Sequence, residues 1–132
     1  MPERQTGGGI VGLGTDLVEV DRFRLAMQRR TTLTQRLFSD AEREYADGQH
    51  DPVKSLAARF AAKEAVMKAL GVGLGAFALR DVEVVRDDDA GSPSLVLRGQ
   101  ADSLARERGV TGWFLSLTHT DASAMAVAIA TG

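Results

Sequence analysis

Arg59-Phe60-Ala61-Ala62-Lys63-Glu64-Ala65-Val66-Met67-Lys68-Ala69-Leu70-Gly71 reads as a helix with a carboxylate set into its apolar stripe. At about 100° per residue, Glu64 falls only about 40° around the axis from Phe60, bracketed by Ala57, Phe60 and Met67. A folding chain gains nothing by turning an acid to that side. Its desolvation must be compensated by a cation, a hydrogen-bond network or a metal ion.

Working outward, Asp51-Pro52 opens this long helix, with Pro52 where a missing amide proton does no harm. Gly71-Val72-Gly73-Leu74-Gly75 ends it and turns the chain. Upstream, Ser39-Asp40-Ala41-Glu42 has the form of a capping box and starts a helix that runs to Asp47 and stops at Gly48. Asp21 is a candidate N-cap for another helix reaching Arg30. Before it, Ile10 to Val20 alternates as a strand does, with Ile10, Gly12, Gly14, Asp16 and Val18 on one face. Glycines inside a strand mark close approach of a backbone or a ligand, and Asp16 lies in line with them.

Downstream, Asp81 to Arg86 and Ser94 to Arg98 read as a hairpin turning at Asp87–Pro93. Gly99 to Arg108 reads as a helix, and Trp113 to His119 and Ala122 to Ala130 as two strands, the last apolar on both faces and therefore buried. The order is strand, three helices, two strands, helix, two strands. This predicts an α+β fold with a mostly antiparallel sheet, formed as one domain over 10–132 after a flexible, glycine-rich leader over 1–9.

The chain has 132 residues, no cysteine and a formal net charge of −2. Without cysteine there is no disulfide framework, thiolate metal site or cysteine nucleophile, which suits a reducing cytoplasm. The charge gives no electrostatic case for nucleic acid, and the apolar runs are too short to span a membrane. The expectation is a soluble cytoplasmic protein that meets any anion with locally placed cations.

Asp16 and Glu64 could converge on one hard cation such as Mg²⁺, which takes few protein oxygens and leaves positions for phosphate and water. The alternative is that Asp16 caps a turn and Glu64 pairs with Lys68 at i,i+4, an orientation that favours the pair. Arg59, Lys63 and Lys68 leave the same helix and suit a polyanionic ligand, although three cations on a helix are also what a solvated face looks like. His119 shares a strand face with Leu115 and Leu117, where a histidine is ordinarily a hydrogen-bonded core residue. As a functional group it could donate to a phosphate, helped by Thr118 and Thr120. The helix from Asp21 to Arg30 mixes Phe23, Leu25 and Met27 with four arginines, so it is either a surface helix or a docking face for an acidic partner.

Taken as a set, Gly12-Leu13-Gly14-Thr15-Asp16-Leu17, Arg59-Phe60-Ala61-Ala62-Lys63-Glu64-Ala65, Lys68-Ala69-Leu70-Gly71 and Ser116-Leu117-Thr118-His119-Thr120 closely resemble the holo-[acyl-carrier-protein] synthases. These are the small AcpS-type 4′-phosphopantetheinyl transferases, and the resemblance covers Ile10 to Ile129. It implies transfer of the phosphopantetheine arm of coenzyme A to a serine of an apo acyl carrier protein, free or as a synthase domain, in fatty acid biosynthesis. It further implies that Asp16 and Glu64 hold Mg²⁺ and that Lys68 assists proton removal or neutralises charge. Arg59, Lys63, Gly71, Gly73, Thr118, His119 and Thr120 would line the coenzyme A site, and Arg22 would meet the acidic carrier protein. The assembly implied is a homotrimer with interfacial active sites. Val72 stands where many relatives have threonine, which removes a hydroxyl from that turn. The acceptor serine needs a base, for which Lys68 or a metal-bound water held by Glu64 are the candidates. A non-catalytic coenzyme A or nucleotide-binding module is the competing reading.

Overall fold

The computed structural model describes residues 9–86 and 92–132. The leader expected over 1–9 lies outside the described residues except for Gly9, and so does most of the hairpin turn expected at Asp87–Pro93. Gly9 already belongs to the sheet's end, since it exchanges backbone hydrogen bonds with Gly132 at 3.1 and 2.9 Å.

The elements run β1 (Ile10–Glu19), α1 (Val20–Arg29), α2 (Leu33–Leu37), α3 (Asp40–Asp47), α4 (Pro52–Leu70), β2 (Val82–Arg86), β3 (Pro93–Leu97), α5 (Gly99–Glu107), β4 (Gly112–His119) and β5 (Ser123–Thr131). A 3₁₀ turn at Leu79–Asp81 precedes β2, so that strand starts one residue later than its sequence suggests. The expected α+β order holds, with α2 added. That helix is a single turn with no side-chain cap, too short to display a 3.6-residue period.

Strands β1, β5 and β4 form one antiparallel sheet in that order, and β2 with β3 forms a second. Strand β5 is therefore central, as its apolar sequence required. Its inner side is entirely alanine: Ala124, Ala126, Ala128 and Ala130 are fully buried. Helix α4 lies over this side and over β1, presenting Ala57, Ala61, Ala62, Ala65 and Ala69. The glycines of β1 make room for it. A Cβ on Gly12 would sit 1.9 Å from the carbonyl oxygen of Ala69, and one on Gly14 would sit 1.8 Å from that of Ala65. The close backbone approach inferred from Gly12 and Gly14 is thus the helix itself.

Local chemistry fixes the ends of α4. The Asp51 side chain accepts from the Val53 amide at 3.1 Å, and Gly71 closes the helix at φ 72°, a left-handed conformation that glycine adopts without a Cβ penalty. The remaining flanks of α4 are covered by α1, α3 and β2. Phe23 of α1 meets Phe60 of α4 at 5.4 Å between ring centroids and Phe38 edge-on at 6.2 Å. Full burial of Phe38 contributes about 1.5–3 kcal/mol relative to exposure.

Among the described residues, nothing gives the outer side of the β1-β5-β4 sheet such cover. Its rows pair Leu13 with Ile129 and Phe114, and Leu17 with Met125 and Thr118. Leu13, Leu17 and Phe114 are 60, 65 and 68% exposed. The second apolar face of β5 is therefore not buried by the described residues.

Candidate active site

The register of the sheet brings the functional side chains to one end of its inner face. Asp16 pairs with Ala126, which pairs with Leu117; one step along, Val18, Ala124 and His119 form the next row. Asp16 and His119 thus share the face on which α4 lies, and α4 adds Arg59, Glu64 and Lys68 above them. Because Gly14 admits the Ala65 carbonyl, Glu64 is delivered beside Asp16, two residues further along the strand.

The two carboxylates interact. Burial and the Asp16 charge push the Glu64 carboxyl above its ordinary value, an effect Lys68 offsets in part. The Lys68 ammonium does not pair with Glu64 as the i,i+4 spacing suggested. It donates instead to Asp16 Oδ1 at 3.2 Å and to the Thr15 carbonyl at 2.9 Å. One cation therefore serves two carboxylates, which leaves an anionic pair of hard oxygen donors. That donor set fits Mg²⁺, which is held by one or two carboxylates and completes its shell with water and substrate phosphate. Among the described residues no cluster of three or more His, Cys, Asp and Glu side chains surrounds a metal position, so the protein's share would be these two groups. Arg22, exposed on α1, lines a 510 Å³ cleft together with Asp16, Glu64, Phe23, Met27 and Phe60.

A second cleft of 460 Å³ lies by the first half of α4, lined by cationic and imidazole groups: Arg59, Lys54, Arg86, His50 and His119, with Thr118 at its edge. Arg59 is its fixed element. The guanidinium lies 4.3 Å over the Tyr45 ring and donates to Ser55 Oγ at 2.9 Å. Burial pushes its pKa down, and its buried Nε has no partner among the described residues. A buried, unpaired guanidinium donor is costly unless an anion meets it.

Several expectations need correction. Lys63 does not join Arg59 and Lys68 on a ligand-facing side. It is fully buried, with its ammonium on Glu42 Oε1 at 2.7 Å, the Leu79 carbonyl at 3.0 Å and the Val82 carbonyl, because α4 is covered on almost every flank. His119 is not a core residue but stands exposed at the end of β4. The Thr120 hydroxyl oxygen accepts from the Ala122 and Ser123 amides at 3.2 and 3.1 Å and so builds the β4–β5 turn. Gly71 is the C-cap of α4, Gly73 has open space around it, and neither lines either cleft.

Sequence reasoning missed Tyr45, Lys54 and Arg86 as cleft residues and Glu42 as the partner of Lys63. Glu42 carried a signal as the fourth residue of the capping box, which the structure retains: Ser39 N donates to Glu42 Oε1 at 3.0 Å, and Glu42 N to Ser39 Oγ at 3.3 Å.

Comparison with known proteins bears on this arrangement. The chain is 47% identical over 116 residues to the holo-[acyl-carrier-protein] synthase of Moorella thermoacetica, covering 88% of this chain and 90% of the relative. The structure superposes with TM-score 0.84 on the holo-[acyl-carrier-protein] synthase of Neisseria meningitidis, at 29% identity, covering 92% of this chain and 98% of that one. With TM-score 0.77 and 29% identity it matches a holo-(acyl-carrier-protein) synthase of Bacillus anthracis solved in complex with coenzyme A (3′,5′-ADP), covering 96% and 99% of the two chains. Residues 12–128 match the model of the 4′-phosphopantetheinyl transferase superfamily, and the chain belongs to that family.

Proposed function

We propose that the chain transfers the 4′-phosphopantetheine arm of coenzyme A to a serine of an apo acyl carrier protein, releasing adenosine 3′,5′-bisphosphate, in support of fatty acid biosynthesis. The observation that carries this reading is the juxtaposition of Asp16 and Glu64 under a single shared cation. Displacement at phosphorus asks a protein chiefly for positioning and for neutralisation of developing charge. Asp16 and Glu64 would hold Mg²⁺, which when bound would supply much of that neutralisation at the pyrophosphate.

The remaining steps belong to the chain's own side chains. Arg59 and His119 hold the phosphates of the nucleotide end in the cationic cleft. Lys68 already donates to a carboxylate and a carbonyl, contacts that support a charge-neutralising role. The serine proton needs an acceptor, for which Lys68 and a water held by Glu64 are the candidates. Arg22 on the rim of the neighbouring cleft meets the acidic carrier protein, free or as a domain of a larger synthase. Gly71, Gly73, Thr118 and Thr120 are assigned to the coenzyme site through the family resemblance alone.

We further propose that the assembly is a homotrimer with active sites at the subunit boundaries. Support comes from the uncovered outer sheet face, where Leu13, Leu17, Phe114 and Met125 form an apolar surface of the kind that monomers rarely leave to water. A cytoplasmic location fits the absence of cysteine, and among the described residues no helix is long and apolar enough to cross a membrane.

The test is release of adenosine 3′,5′-bisphosphate in the presence of coenzyme A, Mg²⁺ and apo acyl carrier protein. Release should require all three, and Asp16→Ala and Glu64→Ala should abolish it while coenzyme A still binds at Arg59. Coenzyme A binding without release by the wild-type chain would favour the binding-module reading.

A further inference from the structure

The most deeply buried ionic pair among the described residues has no part in the chemistry above. Lys63 and Glu42 side chains are both 0% exposed. Every acceptor of Lys63 lies on a different piece of chain from α4: Glu42 in α3, Leu79 in the 3₁₀ turn, and Val82 at the start of β2. Glu42 is equally occupied. Oε1 also accepts from Ser39 N, and Oε2 accepts from the Val84 amide at 3.0 Å. The network is thus satisfied on both sides and ties three segments to one point on α4.

Such a point matters because of how α4 is held. Ala57, Ala58, Ala61, Ala62, Ala65 and Ala69 are buried on it together with Leu56, Val66, Met67 and Leu70, so the helix is enclosed on most sides. The Gly12–Ala69 and Gly14–Ala65 contacts hold one flank of the helix down on β1, and the Lys63 network ties another flank to α3, the 3₁₀ turn and β2. A buried ionic pair adds little net stability over an apolar replacement, and its best-attested use is to specify register. Here the register matters to function: Glu64 is the residue after Lys63, and Arg59 lies one turn before it on the same side. Glu42 also faces Arg59 closely enough to favour its charge.

We propose that Glu42 and Lys63 are positioning residues for the transfer reaction: their pair fixes the rotation of α4 and thereby aims Glu64 at Asp16 and Arg59 into the cationic cleft. This rests on the transferase reading and adds to it a role for two residues that touch no substrate.

The experiment compares wild type, Glu42→Gln, and Glu42→Gln combined with Lys63→Met, which removes both charges. Each is measured for melting temperature, for coenzyme A affinity by calorimetry, and for kcat and KM of the fraction folded at the assay temperature. A misplacement near 1 Å costs on the order of a hundredfold in rate, so a folded double variant should lose at least about tenfold in kcat and bind coenzyme A several-fold more weakly. Glu42→Gln keeps a hydrogen bond to Lys63 but leaves its buried charge without a counter-ion, so it should melt below the double variant while losing less in kcat. If one variant does not fold, the other is read by the same criterion. Folded variants with kcat and coenzyme A affinity within twofold of wild type, or losses that only follow the unfolded fraction, would overturn the proposal. A wild-type chain that neither binds coenzyme A nor transfers would instead overturn the transferase reading on which it stands.

Discussion

Replacing Gly14 by alanine probes the contact on which both the fold and the site depend. The added Cβ would lie 1.8 Å from the Ala65 carbonyl oxygen and 2.7 Å from the Ala69 nitrogen, whereas real Cβ contacts essentially never fall below 3.0 Å. Both neighbours are backbone of α4, so no side chain can swing away, and roughly 1 Å or more of separation must open between helix and sheet. A gap of that size forfeits about a quarter to a half of each dispersion contact along the interface. Overpacking ordinarily costs about 1–3 kcal/mol, and this backbone-on-backbone case belongs at about 3 kcal/mol or above. For a domain of this size that lowers the melting temperature by about 10 °C. The same displacement lifts Ala65, and with it Glu64, away from Asp16, so transfer should fall at least about tenfold in molecules that remain folded. Differential scanning calorimetry and the nucleotide-release assay read the two effects. Gly73→Ala serves as the contrast, because nothing lies within 4 Å of its Cβ position, and it should change stability by less than about 0.5 kcal/mol. A Gly14→Ala protein melting within 2 °C of wild type would refute the reasoning.

Glu64→Gln should stabilise the metal-free protein at neutral pH. The folded state holds the Glu64 proton more tightly than the unfolded chain does, so the group's cost appears as pH rises above the ordinary value of 4.5 and vanishes below it. Melting curves from pH 3.5 to 8 should therefore show the variant's advantage only in the upper part of the range, and an equal advantage at both ends would contradict the assignment. Arg59→Lys keeps the charge but loses the planar fork over Tyr45, and should weaken coenzyme A binding about tenfold or more by calorimetry. Phe114→Glu places a charge on the uncovered sheet face and should yield monomers by light scattering under conditions where the wild type is expected to give trimers. A wild-type monomer at micromolar concentration would remove the assembly proposal.

Much of this site could be read before its geometry was known. Glu64 betrayed itself by standing in an apolar stripe, and Asp16 by following two glycines on one strand face; each is a local conflict between pattern and chemistry, which is where sites announce themselves. The caps of α3 and α4 were legible because capping uses neighbours in sequence. Lys63 was misassigned for the opposite reason. Its partner Glu42 is 21 residues away, and a helix read as one apolar stripe left Lys63 on the ligand side, whereas α4 is enclosed on most flanks. The position of His119 depended on where β4 stops relative to β5, a boundary that periodicity locates poorly. The pairing of Lys68 with Asp16 in preference to Glu64 required knowing that β1 passes beneath the last turns of α4, and no helical spacing contains that information.

Phosphopantetheine transfer dependent on the Asp16–Glu64 pair is tested most directly by intact-mass spectrometry of an apo acyl carrier protein. Incubated with coenzyme A, Mg²⁺ and the wild-type chain, the carrier protein should gain the mass of one phosphopantetheine arm, attached at serine, and should gain nothing with Asp16→Ala or Glu64→Ala. An unmodified carrier protein with the wild-type chain, or full modification by either carboxylate variant, would contradict it.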